Sequence, residues 1–299
     1  MKLIVQPDDG LTPLMKAVQH AKTSIDVVIF RFDRVDLEKA LGAAVARGVV
    51  VRVLIAYTNG GGEKLLRKLE PRLLEAGVTV TRTADDLPRY HGKMTIIDDA
   101  LFVLGFNYTR QDIERSRSFG LITHDKKLLK EAASLFEADA TRQPYTATHD
   151  RFVVSPESSR ERLTELIAKA RRQLLIYSEN ISDKLILRLL RERAGEGVEI
   201  RVIGKLAKTI PGVAYRKLAD MRLHVRAIIA DGTTAFVGSQ GLRKPELDER
   251  REIGLIVKDS RIAKKMQDVF EADWALAKGP KDATDEDEAK ATAKQVSAG

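Results

Sequence analysis

The chain has 299 residues, enough for one large domain or two lobes with separate cores, and its 43% hydrophobic and 31% charged content is that of a globular protein. It contains no cysteine, which excludes disulfides and thiolate metal sites and fits a reducing compartment. A formal net charge of +8 favours polyanionic partners, nucleic acid or anionic lipid head groups, unless it is only a basic surface.

The opening, Met1-Lys2-Leu3-Ile4-Val5-Gln6-Pro7-Asp8, has too short an apolar run for a signal peptide. No stretch approaches the roughly 18–20 apolar residues that span a bilayer. The sequence therefore reads as a soluble, cytoplasmic protein. Apolar residues at Leu14, Met15, Ala17, Val18 and Ala21 predict a helix from Pro13 to Lys22. Ser24 to Phe30 is short and β-branched, a buried strand. A second helix runs from a cap at Asp36 through Val45 and closes at Gly48, and Val49 to Ile55 is a second buried strand. This β-α-β order with continuous apolar strands predicts a parallel or mixed sheet covered by helices. Asn59-Gly60-Gly61-Gly62 reads as a plain loop, or less readily as a phosphate cradle, since it lacks the Walker spacing. Further strands follow at Val78 to Val80, Met94 to Ile97, Leu101 to Leu104 and Phe119 to Ile122, then a helix from Lys127 to Ala140.

The second half repeats the plan. Gly197-Val198-Glu199-Ile200-Arg201-Val202 matches Gly48-Val49-Val50-Val51-Arg52-Val53. Glu252-Ile253-Gly254-Leu255-Ile256 matches Ser118-Phe119-Gly120-Leu121-Ile122, and Phe270-Glu271-Ala272-Asp273 matches Phe136-Glu137-Ala138-Asp139. A tandem duplication of one α/β unit packs about a pseudo-twofold axis by analogy with isologous dimers. The predicted organisation is a lobe at 1–145, a second at 146–278, and a disordered tail at 279–299 that is rich in Ala, Lys, Asp and Glu.

One pattern falls at equivalent places in both repeats. Tyr90-His91-Gly92-Lys93 continues to Asp98, and Leu223-His224-Val225-Arg226 continues to Asp231, each with a glycine shortly after, at Gly105 and Gly238. On a strand, residues i and i+2 share a face, so each His projects with its Lys93 or Arg226. Such a set suits phosphodiester chemistry. The diester repels nucleophiles and its alkoxide leaves poorly, so catalysis needs a neutral nucleophile, cations for the oxygens and an acid for the leaving group. Imidazole can be nucleophile or acid near neutrality. Asn107 and Ser239 could donate hydrogen bonds to phosphoryl oxygens. Asp98 and Asp231 could equally be turn residues. No metal or cofactor is required by this set. His20, His124 and His149 read as ordinary polar residues.

With these residues in view, the sequence resembles the phospholipase D superfamily, whose signature is His-x-Lys-x4-Asp-x6-Gly-Ser-x-Asn, found twice. The resemblance covers roughly residues 3 to 276 and is strongest to compact phospholipase-D-like or cardiolipin-synthase-like members. It implies a two-lobed α/β/α sandwich with one active site at the lobe interface. It also implies His91 as the nucleophile forming a phosphohistidine, His224 as the acid, Lys93 and Arg226 on the phosphoryl oxygens, and Asp98 and Asp231 in support. The second motif departs from the pattern at Arg226, whose planar fork replaces an ammonium, and at Gly241 in the Asn position. In the first motif Asn107 comes two residues after Gly105 where the pattern has three, which reads as a deletion there. A Glu before the apolar-Gly strand orients a motif His in many members. Here Glu252 fits in the second half, but the first half has Ser118, which would weaken His91 and could exchange the two roles.

The expected partner is a phospholipid or other phosphodiester, with peripheral membrane contact and no transmembrane segment. The competing readings are a metal-independent nuclease acting on nucleic acid and an inactive phosphate-binding module. Loops such as Gly60 to Arg72 and Asp85 to Arg89 are expected to set the substrate.

Overall fold

The computed structural model describes residues 1–57 and 63–279. The glycine loop at 59–62 and the tail from 280 lie outside the described residues. The first half runs β1 (Lys2–Gln6), α1 (Thr12–His20), β2 (Ser24–Ile29), α2 (Val35–Ala46), β3 (Val50–Ile55), α3 (Glu63–Glu75), β4 (Thr79–Arg82), β5 (Met94–Ile97), β6 (Ala100–Leu104), α4 (Arg110–Glu114), β7 (Ser116–Thr123) and α5 (Lys126–Thr141). The second runs β8 (Phe152–Ser155), α6 (Ser159–Ala168), β9 (Gln173–Ile181), α7 (Lys184–Gly195), β10 (Glu199–Leu206), β11 (Val213–Arg216), β12 (Arg222–Leu223), β13 (Ala227–Ala230), β14 (Thr234–Gly238), α8 (Lys244–Asp248), β15 (Glu252–Val257) and α9 (Ser260–Leu276).

The two sheets have the same plan. One is ordered β1-β7-β6-β5-β2-β3-β4, with β12 of the second half added beside β7; the other is ordered β8-β15-β14-β13-β9-β10-β11. In each, three strands run parallel and the remaining four pair antiparallel; α2 and α3 join the parallel strands of the first, and α7 joins β9 to β10 in the second. The mixed α/β duplication expected from the sequence is therefore present. Among the elements that escaped the sequence reading are the short helix α4, β1, whose polar start masked a strand, and α3, which begins at Glu63, so most of the expected Gly60 to Arg72 loop is helix.

Burial follows the pattern of the strands. The outer face of each sheet packs under its own helices, with Leu14, Leu41 and Leu69 on the first and Leu163, Ile186 and Leu190 on the second. The inner faces share one core, in which Leu128, Leu135 and Phe136 of α5 and Ile262, Met266 and Phe270 of α9 meet residues of both sheets. Continuous apolar burial across this layer makes the two lobes one folding unit.

Two buried ion pairs cross the lobe boundary at equivalent places. Arg117 of β7 donates through Nε and Nη2 to Asp273 of α9 at 2.8 and 3.0 Å. Arg251, just before β15, donates to Asp139 of α5 at 3.1 Å and to Glu157 at 2.5 Å. Arg117, Asp273, Arg251 and Asp139 are all buried. Removing one partner strands a charge in a dry interior, which costs about 3–5 kcal/mol. Arg117→Ala is therefore expected to lose about 3 kcal/mol in denaturant unfolding, whereas a loss under about 1 kcal/mol would show the pair to be solvated.

Candidate active site

Each motif histidine is seated by a strand of the other lobe. Tyr90 forms a parallel bridge with Arg251, and the His91 amide donates to the Arg251 carbonyl at 2.7 Å. At the equivalent place β12 pairs in parallel with the start of β7, and the His224 amide donates to the Arg117 carbonyl at 3.2 Å. The same two arginines whose side chains tie the lobes thus position both motifs. His91 and His224 consequently line one cavity of about 180 Å3.

The wall of that cavity is cationic. Among its described lining residues are Arg31, Arg89, Arg222, Arg226, Arg243 and Arg250, against Glu179 and Glu246. Lys93 lies beneath, fully buried, with Nζ donating to the His91 carbonyl at 2.7 Å and standing 3.2 Å from His91 Nε2. Burial drives the Lys93 ammonium down to about 7. Both imidazoles are held well below their ordinary value, by burial first and then by neighbouring cations: Lys93 and Arg226 for His91, Arg226 for His224. Both rings are therefore neutral at pH 7, and an anion in the cavity would favour their protonation.

The carboxylate partners correct an expectation. Glu252 orients the histidine of the opposite half, not of its own: Oε2 lies 2.8 Å from His91 Nδ1, and the carboxyl is buried and pushed above its ordinary value by that burial. It sits on β15 at the crossing point with the first motif, so it faces His91 across the boundary. Ser118 therefore does not deprive His91 of a carboxylate. His224 Nδ1 lies 3.4 Å from Asp112 Oδ2 of α4, a contact again made between halves that becomes an ion pair when the ring is protonated. Asp112 is pushed up by burial, but His224, the Asn107 donors and Arg222 outweigh this and hold it below its ordinary value. The sequence reading missed Asp112. An available signal was that Glu246 of the equivalent short helix is also acidic.

The other expected site residues lie elsewhere. Asp98 and Asp231 sit in the β5–β6 and β13–β14 turns in the left-handed region, at φ 48° and 54°. Asp98 accepts from the amides of Lys22, Thr23 and Ser24, and Asp231 from those of Arg171, Arg172 and Gln173. Burial raises the Asp98 carboxyl, but Thr23 and these amides together outweigh it and hold it at about 2. Neither residue lines the cavity. They clamp the opposite ends of the motif strands, at the start of β2 and β9. Ser239 is also outside the cavity, exchanging hydrogen bonds with the Ile253 backbone beside Glu252. Asn107 lines the cavity, but its Nδ2 already donates to Asp112 at 2.7 Å.

The one-residue slip between the repeats lies in the turn. Ile97 pairs with Ala100 across two residues, whereas Ala230 pairs with Thr234 across three. Beyond it Gly105 and Ser239 are equivalent, each amide donating to the first core carbonyl of β7 or β15, those of Phe119 and Ile253. The deletion expected after Gly105 is absent. Arg89 and Arg222, two residues before each histidine, were legible as an Arg-x-His-x-Lys/Arg repeat and were overlooked.

Fold and cavity together define a class of protein, a duplicated α/β chain whose halves share one basic, histidine-bearing cavity. The chain belongs to the phospholipase D superfamily: residues 14–140 and 163–274 match the family described as cardiolipin synthase, PLD-like domain. The human protein named mitochondrial cardiolipin hydrolase is 32% identical over 136 residues, which cover 44% of this chain and 50% of that protein. The mouse protein of that name is 31% identical over 135 residues, covering 44% and 58%. The chain thus spans about half the length of the curated relatives it matches. Among solved structures, polyphosphate kinase from Porphyromonas gingivalis superposes with a TM-score of 0.75 at 20% identity, covering 91% of this chain and 50% of that one. Phosphatidylserine synthase from Haemophilus influenzae gives 0.72 at 10% identity, covering 93% and 86%. At these identities the two structures establish the shared fold. Among the described residues no helix is long and apolar enough to cross a membrane.

The depressed basicity of the site sets a direction for its pH dependence. Lys93 loses its proton as pH rises through about 7, and with it the cation beside His91 Nε2. One protonated and one neutral histidine coexist only below their ordinary 6.5. On a labelled diester, kcat/KM is expected to peak on the acid side of 6.5 and fall through 7, and a profile still rising at about pH 8 would contradict this.

Proposed function

We propose that the protein is a phospholipase-D-type phosphodiesterase or phosphatidyltransferase acting on phospholipid phosphodiesters through a phosphohistidine. The single observation that carries the assignment of roles is the His91 Nδ1–Glu252 contact of 2.8 Å. A carboxylate on Nδ1 fixes the tautomer that leaves the Nε2 lone pair free and stabilises the charge that grows on attack. His91 Nε2 attacks phosphorus, the bond to the leaving alkoxide breaks, and His224 gives that oxygen its proton. Water or an alcohol then attacks phosphorus, His224 takes the proton back, and the P–N bond to His91 breaks. His224 suits the acid role because Asp112 favours its charged form. Lys93 and Arg226 neutralise the phosphoryl oxygens in both steps. Asp98 and Asp231 act at a distance by holding the motif strands, and Ser239 by holding Glu252.

Family membership supports a phosphodiester substrate, and the names of the matched relatives favour lipid. The six arginines of the cavity wall favour a nuclease as the second reading, because a nucleic-acid backbone brings several charges at once. The reading includes a cytoplasmic protein that meets membranes peripherally and needs no metal.

Cleavage of labelled phosphatidylcholine and of plasmid DNA in the presence of EDTA separates the two substrates. Trapping with a labelled diester tests the roles. Wild type is expected to retain label and His91→Ala none, while His224→Ala retains label that turns over slowly, with kcat reduced by about 10²-fold or more. Label persisting in His91→Ala, or in the double variant, would overturn the assignment.

A further inference from the structure

Beside the catalytic cavity lies a larger hollow of about 620 Å3, within the range that encloses small ligands. It opens where the parallel strands β9 and β10 end, the edge of an α/β sheet at which ligands commonly bind. A register shift between Gly204 and Leu206 bends β10 at this point and sets Leu206 into the wall. Glu179, Arg222 and Arg243 line both hollows, so the two adjoin. Past these polar residues the wall is aliphatic, with Leu206, Leu218, Met221 and Leu223 all half-buried. Lys205 and Lys217 stand exposed at the rim.

This sequence of surfaces matches one chemistry. A phosphate held between the histidines would place an attached chain past Arg222 and against the aliphatic wall. Among the described residues lining the hollow there is no aromatic ring, the feature on which unstacked bases rest. Methylene groups gain from leaving water along such a wall, and rim lysines suit an anionic membrane surface. We infer that this hollow is the subsite for the glycerol and proximal acyl chain of a phospholipid whose phosphate sits in the histidine cavity. The inference rests on the lipid reading above and deepens it, placing chain recognition wholly on the second lobe.

The test uses the full chain and monomeric phosphatidylcholines of increasing acyl length. Methyl p-nitrophenyl phosphate serves as a small diester without an acyl chain, and plasmid DNA as the competing substrate. For wild type, kcat/KM is expected to climb with chain length, by at most about fourfold per fully buried methylene, and then level off. Met221 belongs to none of the three core clusters, so it can be altered with little risk to folding. Met221→Asp places a charge on the wall and Met221→Trp fills the space. Both are expected to lower kcat/KM on the longest lipid by about tenfold or more while holding the small diester within about twofold. Lipid cleavage by wild type that ignores chain length, or variants that cleave lipid as wild type does, would overturn the subsite and leave the proposed function standing. Plasmid cleavage without lipid cleavage would overturn both. Should a variant fail to fold, the wild-type chain-length series decides alone.

Discussion

Arg117 and Arg251 hold the site together, each in two ways. Their carbonyls accept from the amides of His224 and His91, and their guanidinium groups reach aspartates of the opposite lobe, Asp273 and Asp139. A shift of one lobe against the other would break both contacts at once. Buried ion pairs of this kind add little net stability over an apolar packing, because desolvation offsets attraction. Their value here is geometric. They leave one register in which the two motif segments can lie, and that register faces both histidines into one cavity.

The cavity gathers cations that suppress one another's charge. Arg89 is held below its ordinary value by burial and by Arg250, and both histidines and Lys93 are depressed in the same way. Glu252 and Asp112 offset part of this charge, and each serves the histidine of the other half. On the proposed function, a phosphodiester entering here would replace repulsion with attraction and draw a proton toward His224, the proposed acid. Substrate binding and catalytic protonation are thereby linked through the same charges.

Much of this was legible in the residues. Val- and Ile-rich strands and matched segments such as Gly197 to Val202 announced the duplication, because burial on both faces leaves a continuous apolar signature. The two histidines were legible because their motifs fall at equivalent points of the repeat. What stayed hidden was made by contact between distant segments. Glu252 reads locally as a second-lobe residue, and only the crossing of β15 with the first motif reveals its partner. Asp98 and Asp231 share the motif, yet their spacing places them at the strand ends opposite the histidines, where left-handed turns aim them at the backbone. The sequence shows that spacing but not the carboxylates' targets. Similarly, the hollow beside Met221 arises from a bulge and a loop, neither of which has a periodic signal.

The most direct measurement is a crystal structure of the protein soaked with vanadate, which adopts the five-coordinate geometry of phosphoryl transfer. The account predicts vanadium between the two rings, bonded to His91 Nε2, with an apical oxygen hydrogen-bonded to His224 and equatorial oxygens on Lys93 and Arg226. Vanadate bound elsewhere on the arginine wall, or touching only one histidine, would contradict it.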